Sequence, residues 1–133
     1  MGIPRRLAVA LAGEPVRIPS AFLARHREFA LVRLRRGGLP PRVGGWLLGE
    51  RSVAAITLWH TIWLGRTQPV SGELLLHEFC HVQQFEADRA FPLRYLWECF
   101  RRGYGLNRFE VAARHFAQVN APAFQVDPPF EET

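Results

Sequence analysis

His77 and His81 stand four residues apart in a stretch, Leu74 to about Glu86, that holds neither glycine nor proline. On a helix, residues four apart lie one above the other, so both imidazoles can reach a single metal ion. Glu78 follows the first histidine and puts a carboxylate where water on that ion would lie. The run His77-Glu78-Phe79-Cys80-His81 therefore has the spacing of two zinc ligands and a general base. The alternative is a helix face carrying two histidines and a solvated glutamate. The flanks speak for a real helix: Ser71 is a good N-cap, Glu73 suits its positive end, and Pro69 closes the preceding loop. Leu75, Phe79 and Val82 form a stripe that should face a core. His77 and His81 then fall on a neighbouring face, bordering a cleft.

This motif constrains the fold because one helix cannot complete the site. A catalytic zinc takes three protein ligands and leaves the fourth position to water. The extended histidine signature needs Gly three residues and His six residues beyond the second histidine. Gln84 and Ala87 occupy those positions, so that extension is excluded. Glu86 and Asp88 come too soon, at the end of the same helix. Glu110, on a later helix, is the better third ligand, and Ala113 three residues on would allow close approach. Asn107 with Glu110 also reads as a capping box, in which the carboxylate only satisfies a backbone donor. Ligand and cap both remain open at this point. His115 is the next candidate ligand, on a different face of that helix.

His77-Glu78-Phe79-Cys80-His81-Val82-Gln83-Gln84, followed by Gly103 to Arg114 with its Glu110-Val111-Ala112-Ala113 segment, resembles the gluzincin-like metallopeptidases. More closely it is similar to small bacterial proteins with HExxHxxQ and a downstream Glu-x-x-Ala helix. The resemblance spans about residues 53–118. It implies His77, His81 and Glu110 as zinc ligands and Glu78 as base.

The rest of the chain bounds what can surround such a site. Its 133 residues suggest a single domain with a real core but no elaborate substrate domain. All 17 basic residues are arginine, and they are unevenly placed. Residues 1–66 carry a balance of +8 and residues 67–133 one of −3. A basic half can bind nucleic acid, anionic lipid or acidic peptides, although it is more often a solvated face. No nucleic-acid motif accompanies it, so nucleic acid is not the expected partner, and a membrane surface is a remote one. Cys80 and Cys99 are the only cysteines and make no metal-type pair, which fits free thiols in a reducing, cytoplasmic setting. The apolar run Leu7–Ala12 resembles a short signal segment, but Glu14-Pro15 cuts it off.

Along the chain, Ser20 to Arg35 should begin as a helix and end as a strand, and Gly37 to Pro41 should form a turn or loop. Gly44-Gly45 and Gly49 to Ser52 bracket a short apolar connection. Val53 to Leu64 is rich in β-branched and aromatic residues and reads as one or two strands. His60, Thr61 and Trp63 are candidates to line a peptide cleft, with Trp59 and Trp63 as competing core anchors. Pro92 opens a helix that Gly103 ends, and its Leu93, Leu96, Trp97 and Phe100 stripe should face the core. A last helix, about Arg108 to Val119, should pack through Phe109, Ala112 and Phe116, before an irregular tail over about residues 120–133.

The expected architecture is α+β, a small sheet from the first half packed on about three C-terminal helices, as one zincin-like domain over residues 1–133. The expected chemistry is zinc-dependent hydrolysis of a peptide or protein substrate. Glu78 would act as general base, with Tyr104, Tyr95, His115 or His60 stabilising the oxyanion. The competing expectation is a zinc-stabilised, inactive domain that binds a partner through its arginine-rich half.

Overall fold

A computed structural model describes residues 2–47, 54–124 and 126. The architecture is α+β, a four-stranded mixed sheet in the first half and three helices in the second. The chain forms two compact units, Met1–Val70 with Val126–Thr133, and Ser71–Gln125.

The first unit runs through helix α1 (Arg5–Ala12), strand β1 (Glu14–Val16), helix α2 (Ser20–Arg25), a 3-10 turn (Arg27–Leu31) and strand β2 (Arg33–Arg36). Helix α3 (Leu39–Leu47) and strands β3 (Ala55–Leu58) and β4 (Thr61–Leu64) complete it. The strand order is β1-β2-β4-β3; β2 and β4 are parallel and the outer pairs antiparallel. Two strands thus arise where the β-branched run suggested one or two. Gly37 to Pro41 is not simply a loop. Its prolines enter the first turn of α3, where a missing amide hydrogen costs nothing. Gly44 and Gly45 lie inside that helix, while Gly49 to Ser52 falls outside the described residues. Helix α2 begins at Ser20, but Pro19 holds the cap position and no side chain caps it.

Two close approaches need glycine. Gly13 and Gly38 both have positive φ, and a Cβ on either would meet main-chain atoms of the other connection at 2.6 Å. Val16, Phe22, Phe29, Val32, Leu34, Ile62 and Leu64 make the core of this unit. Two of its arginines serve the unit's own backbone. Arg35 donates to the carbonyls of Ala12 and Gly13, at the end of α1, and Arg36 to those of Gly65 and Gln68. Trp63 is half-buried and donates its indole N–H to Ala12 O at 3.0 Å. Trp59 is exposed at the β3–β4 turn.

The second unit contains α4 (Gly72–Ala87), α5 (Phe91–Arg102), α6 (Arg108–Asn120) and a 3-10 turn (Ala121–Ala123). Ser71 Oγ accepts from Leu74 N at 3.1 Å, fixing the start of α4 as the sequence suggested. Leu75, Phe79 and Val82 are buried. The most extensive helix contact is between α4 and α6. The packing face of α6 differs from expectation. Glu110, Ala113 and Ala117 are buried, while Phe109 and Phe116 are only half-buried and Ala112 is exposed. Side chains as small as these let two helix backbones come close, which brings the Glu110 carboxylate within reach of α4.

Helix α5 reverses its expected orientation. Leu93, Leu96, Trp97 and Phe100 are exposed, and Phe91 and Glu98 are buried. Gly103, at φ 76°, ends the helix and donates its N–H to Cys99 O. Phe124 is buried after the 3-10 turn; most of the remaining tail lies outside the described residues. Among the described residues, no helix is long and apolar enough to cross a membrane.

Candidate metal centre

Helix α4 supplies His77, Glu78 and His81, and α6 supplies Glu110 from 33 residues beyond His77. His77 Nε2 lies 2.9 Å from Glu110 Oε2, and His81 Nε2 lies 3.1 Å from Glu110 Oε1. The carboxylate is therefore shared between the two imidazoles, one oxygen each. The two rings sit edge to face, with centroids 5.0 Å apart. The cluster is graded in exposure. The side chains of Glu110 and His81 are 3% and 7% exposed, and that of His77 is 17%. The open edge is thus at His77.

The capping box does not form. Asn107 caps α6 alone, its Oδ1 accepting from Phe109 N at 2.9 Å. The N–H of Asn107, which a capping-box Glu110 would have bonded, donates instead to Tyr104 O at 3.3 Å. Glu110 is thereby available to the histidines. Asn107, fully buried, also donates to the carbonyl of Tyr95 at 3.1 Å, tying the start of α6 to α5.

Three further side chains complete the surroundings. Tyr95 donates its hydroxyl to Glu110 Oε1 at 2.6 Å. Its ring lies edge-on to His81 and also packs on Phe91 and Phe109. Gln84 meets His81 Nδ1 through Oε1 at 2.8 Å and donates through Nε2 to Phe109 O at 3.2 Å. Tyr104 lies near enough to feel the charges of Glu110 and Glu78. Glu78 is itself buried, close enough to His81 to raise its basicity.

The electrostatics follow from these contacts. Burial pushes the Glu110 carboxyl up, but hydrogen bonds from His77, His81 and Tyr95 and the charge of His81 hold it far below the usual carboxylate range. Burial works against a charged His81, yet Glu110 and Glu78 overcome it and lift its pKa from 6.5 to about 8. Burial and the charge of Glu110 push the Tyr95 and Tyr104 hydroxyls well up, so both stay protonated and able to donate. The Cys80 thiol is raised by burial and then by Glu110, which keeps it from becoming a thiolate.

The donor set fits zinc. Two imidazole nitrogens and a carboxylate oxygen lie within 4.8 Å of one another, a span that a tetrahedral shell with ligands about 2.0–2.2 Å from the ion can draw together. Other sequence candidates stand apart from this cluster. His115 is exposed on α6, and Asp88 bonds Ala90 N and Arg94. Cys99 lies 3.2 Å from Asn107 Nδ2. His60, Thr61 and Trp63 belong to the first unit. Sequence reasoning had no role for Gln84, although its place one helical turn beyond His81 was a usable signal. It offered Tyr95 for the oxyanion, whereas the structure gives that hydroxyl to Glu110. Compared with protein-family models, curated proteins and solved structures, the chain matches none.

Proposed function

We propose that this chain is a small zinc-dependent hydrolase of peptide bonds, with His77, His81 and Glu110 as the metal ligands and Glu78 as general base. The observation that supports it most is the shared carboxylate of Glu110, which brings α4 and α6 together at the two histidines of the motif. Bound there, zinc would supply Lewis-acid polarisation of a carbonyl and acidify water. The chain's own residues do the rest. Glu78 takes the proton from the attacking water and delivers it to the leaving amine. Tyr104, partly exposed and kept protonated, is the better donor to the developing oxyanion. Tyr95 is engaged by Glu110 and holds that ligand in place. The more open side at His77 is where an extended peptide would enter.

A purely structural zinc closes its shell with a fourth side chain. Among the described residues, the only group of His, Cys, Asp or Glu side chains placed to hold a metal is the three just named. That supports an open site. The two free cysteines fit a reducing compartment, in line with a cytoplasmic location.

Metal content per chain, measured for the wild type beside His81→Ala and Glu110→Ala, tests the ligand set. Near one zinc in the wild type and none in either variant is expected. Zinc retained in Glu110→Ala would remove that residue from the shell. Glu78→Gln should keep its zinc and lose about 10²–10⁴-fold in peptide hydrolysis. Undiminished hydrolysis in that variant would end the mechanism.

A further inference from the structure

The contacts of Gln84 are more specific than packing requires. Its amide nitrogen faces the carbonyl of Phe109 at 3.2 Å, with the Cys80 sulfur at 3.8 Å as a weak second acceptor. A carbonyl can only accept, so the NH₂ end of the amide must point there. That orientation leaves Oε1 toward His81, 2.8 Å from Nδ1. Oε1 in turn can only accept, so Nδ1 must carry a hydrogen. In a neutral imidazole the other nitrogen, Nε2, is then the one with a free lone pair. Nε2 is the atom that faces Glu110 at 3.1 Å and belongs to the cluster.

We propose that Gln84 is a positioning residue for the metal centre, setting both the tautomer and the ring orientation of His81. This role rests on the ligand set proposed above. One amide joins the two helices at their ligands: its oxygen holds His81 on α4, and its nitrogen holds the carbonyl of Phe109, which precedes Glu110 on α6. Metal-bound histidines commonly give their second N–H to a carboxylate, carbonyl or water, and loss of that partner weakens metal binding by about 10–100-fold. Here a side-chain amide provides it from the same helix, three residues on. Its second bond fixes which end of the amide is presented, and a water or an isolated carboxylate lacks that feature. Without Gln84 nothing would hold the hydrogen on Nδ1, and the His81 ring would divide between tautomers and rotate more freely.

Zinc affinity by chelator competition, together with ring-nitrogen NMR of His81, separates the possibilities. Gln84→Met keeps the length of the side chain and removes both hydrogen bonds. It should weaken zinc binding about 10–100-fold and lose the slowly exchanging Nδ1 proton. Gln84→Glu restores an acceptor at the same place without the amide donor. It should recover the Nδ1 proton and bind zinc within a few-fold of the wild type. A thermal melt checks that each variant is folded, and Gln84→Glu decides the matter if Gln84→Met is not. Unchanged affinity in Gln84→Met would overturn the role. So would equal losses in the two variants, which would assign the effect to the Phe109 contact. A wild type that takes up no zinc would instead defeat the metal reading itself, and this role with it. A Nδ1 proton still bonded to Gln84 would then mark the contact as structural only.

Discussion

Helices α4 and α5 carry similar apolar stripes, and the fold uses them in opposite ways. On α4, Leu75, Phe79 and Val82 are at most 8% exposed. On α5, Leu93, Leu96, Trp97 and Phe100 are between 56% and 83% exposed. The apolar count cannot explain this, since burying each of the four would favour the inside by about 1.5–3 kcal/mol. The inward face of α5 is instead held by particular contacts. Tyr95 bonds Glu110 through its hydroxyl and Asn107 through its carbonyl. Phe91 packs edge-on against Phe85 and Phe109. Glu98, buried, accepts from Arg108 N and lies 3.5 and 3.6 Å from the Arg102 and Arg108 guanidiniums. Turning α5 over would strand the buried Glu110, a helix start and the Glu98 carboxylate together. Buried polar groups left without partners cost about 1–3 kcal/mol each, and more when charged. Periodicity reports which residues share a face; it does not say which face turns inward.

The largest contrast to measure lies in the α4 core. Leu75→Ala removes a side chain at 1% exposure from the contact between α4 and its neighbours and should cost about 2–5 kcal/mol in urea unfolding. A cost under about 1 kcal/mol would mean that this core is loosely packed. The contrast with α5 would then lose its basis.

A second measurement addresses the polar contacts that compete with the stripe. In metal-free protein, His81 has a folded pKa raised from 6.5 to about 8. Its contribution is therefore fully present below about 6.5 and fades as pH rises through about 8. Glu110 is shifted the other way, from an ordinary value of 4.5. Its contribution is present above that value and fades as pH falls. Metal-free protein should accordingly be most stable between about pH 4.5 and 6.5 and lose about 2 kcal/mol on the alkaline side. Unfolding midpoints measured across pH in a chelator would show it. A flat profile from pH 6 to 9 would mean that the His81–Glu110 contact does not help to hold the cluster to which Tyr95 and α5 are tied.

Much of this was legible in the sequence, and the exceptions share a cause. The boundaries of α4, α5 and α6 are marked by Ser71, by Pro92 and Gly103, and by Asn107, and each lies where local chemistry put it. Such caps depend only on neighbours in the chain. Whether Glu110 would close a capping box was not local: it turned on where the N–H of Asn107 found its acceptor, and Tyr104 O supplied it. The packing face of α6 was misread because large side chains were favoured over Ala113 and Ala117, although close approach to α4 is what Glu110 needs. The prolines after Gly38 suggested a loop because they break helices internally, yet they are at home in a first turn.

The outer stripe of α5 gives the smallest expected effect and the most discriminating one. Leu93→Gln and Phe100→Ser change side chains that are 73% and 83% exposed, so each should move unfolding stability by no more than about 0.5 kcal/mol. Trp97 and Phe100 stack on each other at 5.9 Å, so Phe100→Ser should also alter tryptophan fluorescence without altering stability. The same substitutions should leave zinc content untouched, because the contacts of α5 to the cluster run through Tyr95 on the opposite face. A loss of 2 kcal/mol or more from either variant would equate this stripe with that of α4. It would show that α5 sits with its apolar face covered, and the polar contacts of Tyr95 and Glu98 would no longer decide its orientation.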